Sequence, residues 1–91
     1  MIIIMHLYTD ELKRKIIYRS NYRGTKEMDI LLNSFVESII SHLNKEELEH
    51  LLDFLNIDDD NLYKYKQGFK TEVQIAENKV TRLFKDFIYK K

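Results

Sequence analysis

Apolar residues recur along this chain with the spacing of a helix rather than of a strand. Met28, Leu31, Leu32, Phe35 and Ile39 make one continuous stripe, and Leu48, Leu51, Leu52 and Leu55 make a second. A third runs through Val73, Ala76, Val80, Leu83, Phe84, Phe87 and Ile88. Strict apolar/polar alternation is never sustained, and no hairpin dipeptide occurs. Helix-start residues divide the stripes. Thr9 is expected to cap a first helix, with Asp10 and Glu11 suited to its positive end. That helix turns basic toward Arg19 and Arg23, and Gly24 stands where a C′ glycine belongs. A second helix is expected from Thr25–Lys26 to about Ser41–Leu43.

Asn44-Lys45-Glu46-Glu47 reads as a capping box opening a third helix. Asp58 is expected to cap a short fourth helix carrying Leu62 and Tyr65, which Gly68 ends. Thr71-Glu72-Val73-Gln74 reads as another capping box, opening a final helix. Short helices on short loops pack against their neighbours. The predicted fold is therefore all-α, a compact antiparallel bundle of about five short helices. Residues 1–91 form one helical domain, with 1–8 as a disordered or extended N-terminal segment.

Composition sharpens this picture. The chain has 91 residues, enough for one core and no more. It is 44% hydrophobic and 33% charged, as a folded chain is, and its formal net charge is zero. No global field draws it to nucleic acid or membranes. The absence of cysteine removes disulfides, thiolate nucleophiles and Cys-based zinc sites, and fits a reducing compartment. Met1-Ile2-Ile3-Ile4-Met5 is too short for a signal core or a membrane span, and Met5 is a candidate start. A cytoplasmic, bacterial protein that is monomeric when free is expected.

Candidate chemistry is sparse. The histidines are His6, His42 and His50. Glu46 and His50 share a helix face, half of a metal site that nothing completes. Asp58-Asp59-Asp60-Asn61 lacks the central glycine and terminal glutamate of a calcium loop and reads as a helix N-terminus. There is no G-x-S-x-G, no phosphate-binding glycine loop and no dinucleotide fingerprint. No metal and no stably bound cofactor are expected, and no catalytic residue. The basic first helix and its exit, Lys13, Arg14, Lys15, Arg19, Arg23 and Lys26 with Tyr18 and Tyr22, support an alternative as a small nucleic-acid-binding helical protein. Its plainer reading is a solvated helix complementing its own dipole.

The most informative stretch is Tyr22-Arg23-Gly24-Thr25-Lys26-Glu27-Met28-Asp29. A glycine between helices lets another backbone approach closely. Arg23 and Glu27 flank it with opposite charges suited to charge-assisted hydrogen bonds. A helix cap followed by surface charges is the alternative.

Arg23-Gly24-x-x-Glu27-x-Asp29, continued by Ile30, Leu32 and Phe35, resembles the R-G-x-x-E-x-D signature of the succinate dehydrogenase assembly factors, the small flavinylation factors of bacteria and mitochondria. Asn44 to Leu48 resembles that family's polar turn and third helix. Asp58 to Tyr65 resembles its acidic stretch leading to D-L-x-x-W, so the likeness spans about Leu12 to Gly68. Tyr22 replaces an Arg of the family pattern, Thr25 a Met, Asp60 a Pro and Tyr65 a Trp. The resemblance implies a five-helix antiparallel bundle. It implies binding to the flavoprotein subunit of succinate dehydrogenase or fumarate reductase, where covalent attachment of FAD to a client histidine is promoted. FAD would be the client's cofactor. Arg23, Gly24, Glu27, Tyr22 and Asp29 would form the partner-binding site. Gly24 would be the point of closest approach, Asp29 more structural, and Tyr65 packed against the bundle.

Overall fold

The computed structural model describes residues 2–21 and 23–89, with side chains from Tyr8 onward. Its helices are α1 (Ile2–Ser20), α2 (Lys26–Ile39), α3 (Lys45–Leu55), α4 (Asp59–Gln67) and α5 (Lys79–Asp86), with a 3-10 turn at Ile40–His42 after α2. No strand occurs among the described residues, so the all-α, five-helix expectation holds. α1 lies against α3 and α2, and α5 closes the bundle against α3 and α4.

The interior takes the predicted stripes of α2 and α3 and, from the third stripe, Val80 and Phe84, whereas Val73, Leu83 and Ile88 stay exposed. Leu32 and Phe35 of α2, Leu48 and Leu51 of α3 and Phe84 of α5 are fully or almost fully buried, together with Ile16 of α1. Phe35 is the hub. Its ring lies edge-on to Phe84 at 5.2 Å and to Phe87 at 5.4 Å, and tilted to Phe54 at 6.0 Å. Phe54 and Phe84 meet at 4.8 Å. Edge-to-face contacts of this kind add to area burial, and here they join α2, α3 and α5. Tyr65 packs partly buried against this core, as expected, with the Lys85 ammonium 5.0 Å from its ring centre.

Two of the expected N-caps form: Asn44 and Glu47 exchange both bonds of a capping box, and the Asp58 carboxylate accepts from the Asn61 N–H. At the start of α2, Thr25 Oγ1 also accepts from the Met28 N–H. Gly68 ends α4 in the left-handed region, at φ 81°, where a Cβ is disfavoured.

Three expectations fail. Thr9 does not begin α1. The helix starts at Ile2, so residues 2–8 are helical rather than extended, and Thr9 lies within it. No glycine or proline interrupts that run. Tyr8 ties it down, its hydroxyl donating to Glu49 at 2.9 Å and its ring lying 4.8 Å from the Lys45 ammonium. Gly24 is not a C′ glycine either. α1 ends at Ser20, whose hydroxyl donates to the Ile17 carbonyl and to Asn33. Gly68 is the glycine with positive φ.

The third failure is the Thr71 capping box. The Thr71 hydroxyl donates to the Val73 carbonyl in a local turn, and the Glu72 N–H is taken by Asn61 Oδ1. Val73 and Ala76 stay exposed, so a helix there would have no face to bury. α5 starts instead at Asn78, which exchanges hydrogen bonds with Thr81. Its end is held by the Lys66 ammonium, which donates to the carbonyls of Phe84 (2.7 Å) and Phe87. Desolvation there pulls the Lys66 pKa down.

Two expectations about stability follow. Phe84→Ala opens a cavity beside Phe35 and Phe54 and is expected to cost about 3–5 kcal/mol in a urea unfolding curve. Glu47 titrates below its ordinary 4.5, chiefly because the carboxylate accepts the Asn44 N–H, with Lys79 assisting. Asp58 titrates below its ordinary 3.8, chiefly through Asn61. A depressed carboxylate stabilises the fold at pH above its unfolded value, and that stability is lost as pH falls through the folded one. The thermal midpoint should therefore be level at neutral pH and fall below pH 4.5. Glu47→Gln should flatten part of that fall, measured by circular dichroism across the pH series.

Candidate docking site

The α1–α2 connection lies against the α3–α4 connection, and one side chain joins them. α3 leaves carbonyls at its C-terminus without helical partners, and a guanidinium suits both their geometry and the negative end of the dipole. Arg23 supplies it. Nη1 donates to the Leu55 carbonyl at 2.8 Å and to Arg19 O at 3.2 Å, and Nη2 donates to the Ile57 carbonyl at 2.8 Å. Nε donates to Asp59 Oδ1 at 2.8 Å. The Arg23 side chain is 11% exposed. Its charge is committed within the chain, whereas the sequence suggested a contact offered outward.

Asp59 uses its second oxygen as well. Oδ2 accepts the Gly24 N–H at 2.7 Å, so one carboxylate holds the Arg23 side chain and the next residue's backbone together. On the other side, the Arg23 N–H donates to Asp29 Oδ1, one turn into α2. Asp29 is thus a structural residue, bracing the loop from within. Tyr22 lies outside the described residues.

What remains open is a depression of about 510 Å³ at the edge of this assembly, lined by Gly24, Thr25, Glu27, Met28, Asp59, Asp60 and Tyr63. The first turns of α2 and α4 border it, and Thr25 and Asp58 cap them both. Charge is distributed unevenly among its three carboxylates. Asp59 is paired with Arg23. Asp60 is paired with Lys64 at 3.0 Å. Glu27 is exposed, and its side chain makes no hydrogen bond or ion pair among the described residues. Beside it, Tyr63 is 53% exposed. The face therefore offers one free carboxylate, an aromatic ring and bare backbone at Gly24, all on helix ends fixed from beneath. Such a surface can bind a protein segment, and it holds no nucleophile–base pair.

Of the predicted site residues, Gly24 and Glu27 line the open face, while Arg23 and Asp29 hold it from inside. Asp59 and Tyr63 belong to the site although the sequence did not mark them so. The acidic run was legible only as a helix start, and nothing local tells which of its carboxylates reaches 35 residues back. The nucleic-acid alternative gains no support: Arg19 at the end of α1 donates to Asn56, and Arg23 in the connection after it turns inward. No helix of the described residues is long and apolar enough to cross a membrane, and no group of histidine, aspartate and glutamate among them could hold a metal ion.

Residues 14–88 match the family described as flavinator of succinate dehydrogenase. The chain is 33% identical over 75 residues to the mitochondrial succinate dehydrogenase assembly factor 2 of Aspergillus flavus, covering 81% of this chain and 26% of that protein. It is 38% identical over 63 residues to the protein of that name from Saccharomyces cerevisiae, covering 68% and 39%. It is 30% identical over 76 residues to the FAD assembly factor SdhE of the bacterium Acetobacter pasteurianus, covering 84% and 67%. The chain thus spans about a quarter to two-fifths of the length of these mitochondrial relatives. No solved structure matches it significantly. The length of the family match, on a fold with the motif at an ordered and partly open helix junction, assigns the chain to the flavinators of succinate dehydrogenase.

Proposed function

We propose that this chain binds the flavoprotein subunit of succinate dehydrogenase, or of the related fumarate reductase, and promotes covalent attachment of FAD to it. The observation that carries this reading is the open face at Gly24, Glu27 and Tyr63, held rigid by Arg23 and Asp59, in a chain of this family. FAD is the client's cofactor in this account. The free chain acts as a monomer without one of its own.

The mechanism is one of positioning. Attaching the flavin requires its reactive carbon and a client histidine to be held together, and such positioning can contribute several kcal/mol to the barrier. A docked protein supplies it by binding the attachment-competent arrangement of the client more tightly than the others. The population shifts by that difference in affinity and by no more. Rigidity on the factor's side matters, because a face that must first order itself spends binding energy on its own ordering. Glu27 supplies the charge that finds a cationic group on the client, and Tyr63 supplies apolar area of low conformational entropy.

The test is covalent flavin fluorescence on the denatured flavoprotein subunit after its apo form is incubated with FAD, with and without the chain. The wild-type chain should raise the signal. Glu27→Ala should keep its thermal midpoint, as surface changes generally do within about 0.5 kcal/mol, yet slow attachment about tenfold. Arg23→Ala should lose attachment together with about 2–4 kcal/mol of stability, since it strands carbonyls and a carboxylate. Equal flavinylation with and without the wild-type chain would remove the proposal.

A further inference from the structure

The glycine of the motif invites the explanation that a partner needs bare backbone there. The geometry points to another cause within the chain. Gly24 does not have a positive φ, so its backbone is open to any residue. Among the described residues, its chain neighbours aside, a Cβ built on it would meet one atom within 4 Å, Asp59 Oδ2 at 3.2 Å. That oxygen accepts the Gly24 N–H at 2.7 Å, while its twin holds Arg23 Nε at 2.8 Å. A side chain at 24 pushes on an atom that has little freedom to give, because the same carboxylate is bound at both ends.

We propose that Asp59 is the positioning residue of the docking face, and that glycine is required at position 24 by Asp59 rather than by the partner. The carboxylate sets the N-terminal half of α4, which carries Asp60 and Tyr63, against the start of α2, which carries Glu27. It does so through two donors from the α1–α2 connection. Asn cannot replace it, since its amide nitrogen would face one of two N–H donors. Displacing the carboxylate frees the connection and lets the two rims of the depression drift apart, though the Phe35 cluster on the far side of α2 stays packed. This rests on the proposed function only for the identity of the partner.

The experiment has two readouts. The first uses the free chain alone: amide hydrogen exchange by NMR at Gly24 and at the core residues Phe35 and Leu51, with the Arg23 Nε–H resonance. In Asp59→Asn, exchange at Gly24 is expected to accelerate tenfold or more and the Arg23 resonance to broaden or move, while Phe35 and Leu51 are little changed. Unchanged exchange at Gly24, or an equal acceleration everywhere, would overturn the positioning role. The second is a double-substitution cycle in affinity for the apo flavoprotein subunit. Gly24→Ala should weaken binding about fivefold beside Asp59, and less than twofold when Asp59 is already Ala. The same loss in both backgrounds would show that the partner demands the glycine and would overturn the inference. If Asp59→Ala does not fold, Asp59→Asn and the free-chain exchange decide it. If the wild-type chain does not bind the subunit, the proposed function fails, and the exchange result still decides the role of Asp59.

Discussion

The proposed docking end of this molecule depends on where the guanidinium of Arg23 sits. It closes the C-terminus of α3 by donating to Leu55 and Ile57, and it is held in turn by the first-turn carboxylate of α4. Two loops far apart in sequence are thereby made one rigid corner. Arginine suits this place because a planar fork of five donors can satisfy several carbonyls and a carboxylate at once. A lysine would supply the charge without the geometry. The ion pair is largely shielded from water, so its geometry matters more than its Coulomb energy alone.

The aromatic cluster supports that corner from the other side. Phe35, on the buried face of α2, packs on α3 and α5, so the helix that carries Glu27 outward is anchored inward two turns later. A chain of this size has a small core and little stability to spare. Using one arginine both to finish a helix and to fix the proposed docking face is economical for such a fold. The carboxylate of Glu27 and the half-exposed ring of Tyr63 stand outside the buried core, which leaves them open to a partner.

Much of this was legible in the sequence, and the reasons differ by element. α2 and α3 were readable because their stripes, caps and ends agree: Thr25, Asn44 and Glu47 do what such residues do locally. α4 was readable from Asp58 and Gly68. α1 and α5 were misjudged at their starts. Thr9 and Thr71 look like caps, but a cap is used only where the preceding chain stops being helical or where the following turn can be buried. Residues 2–8 continue the helix, and residues 72–77 have no buried face. The site was half legible. The motif drew attention to Gly24 and Glu27 correctly as exposed positions, but whether an arginine points outward or inward depends on what lies opposite it. Asp59 lies 36 residues from Arg23, a distance across which local pattern carries no information.

The account turns on the open face being the place where the client lies. The most direct test is a photo-crosslinking amino acid placed at position 63, with the same group at position 46 as control. Glu46 is exposed near the start of α3, the opposite end from the Arg23 corner. Mixed with apo flavoprotein subunit and illuminated, the chain labelled at 63 should crosslink to the subunit, and the chain labelled at 46 should not. Crosslinking from 46 and none from 63, with both variants folded, would place the client elsewhere and contradict the account.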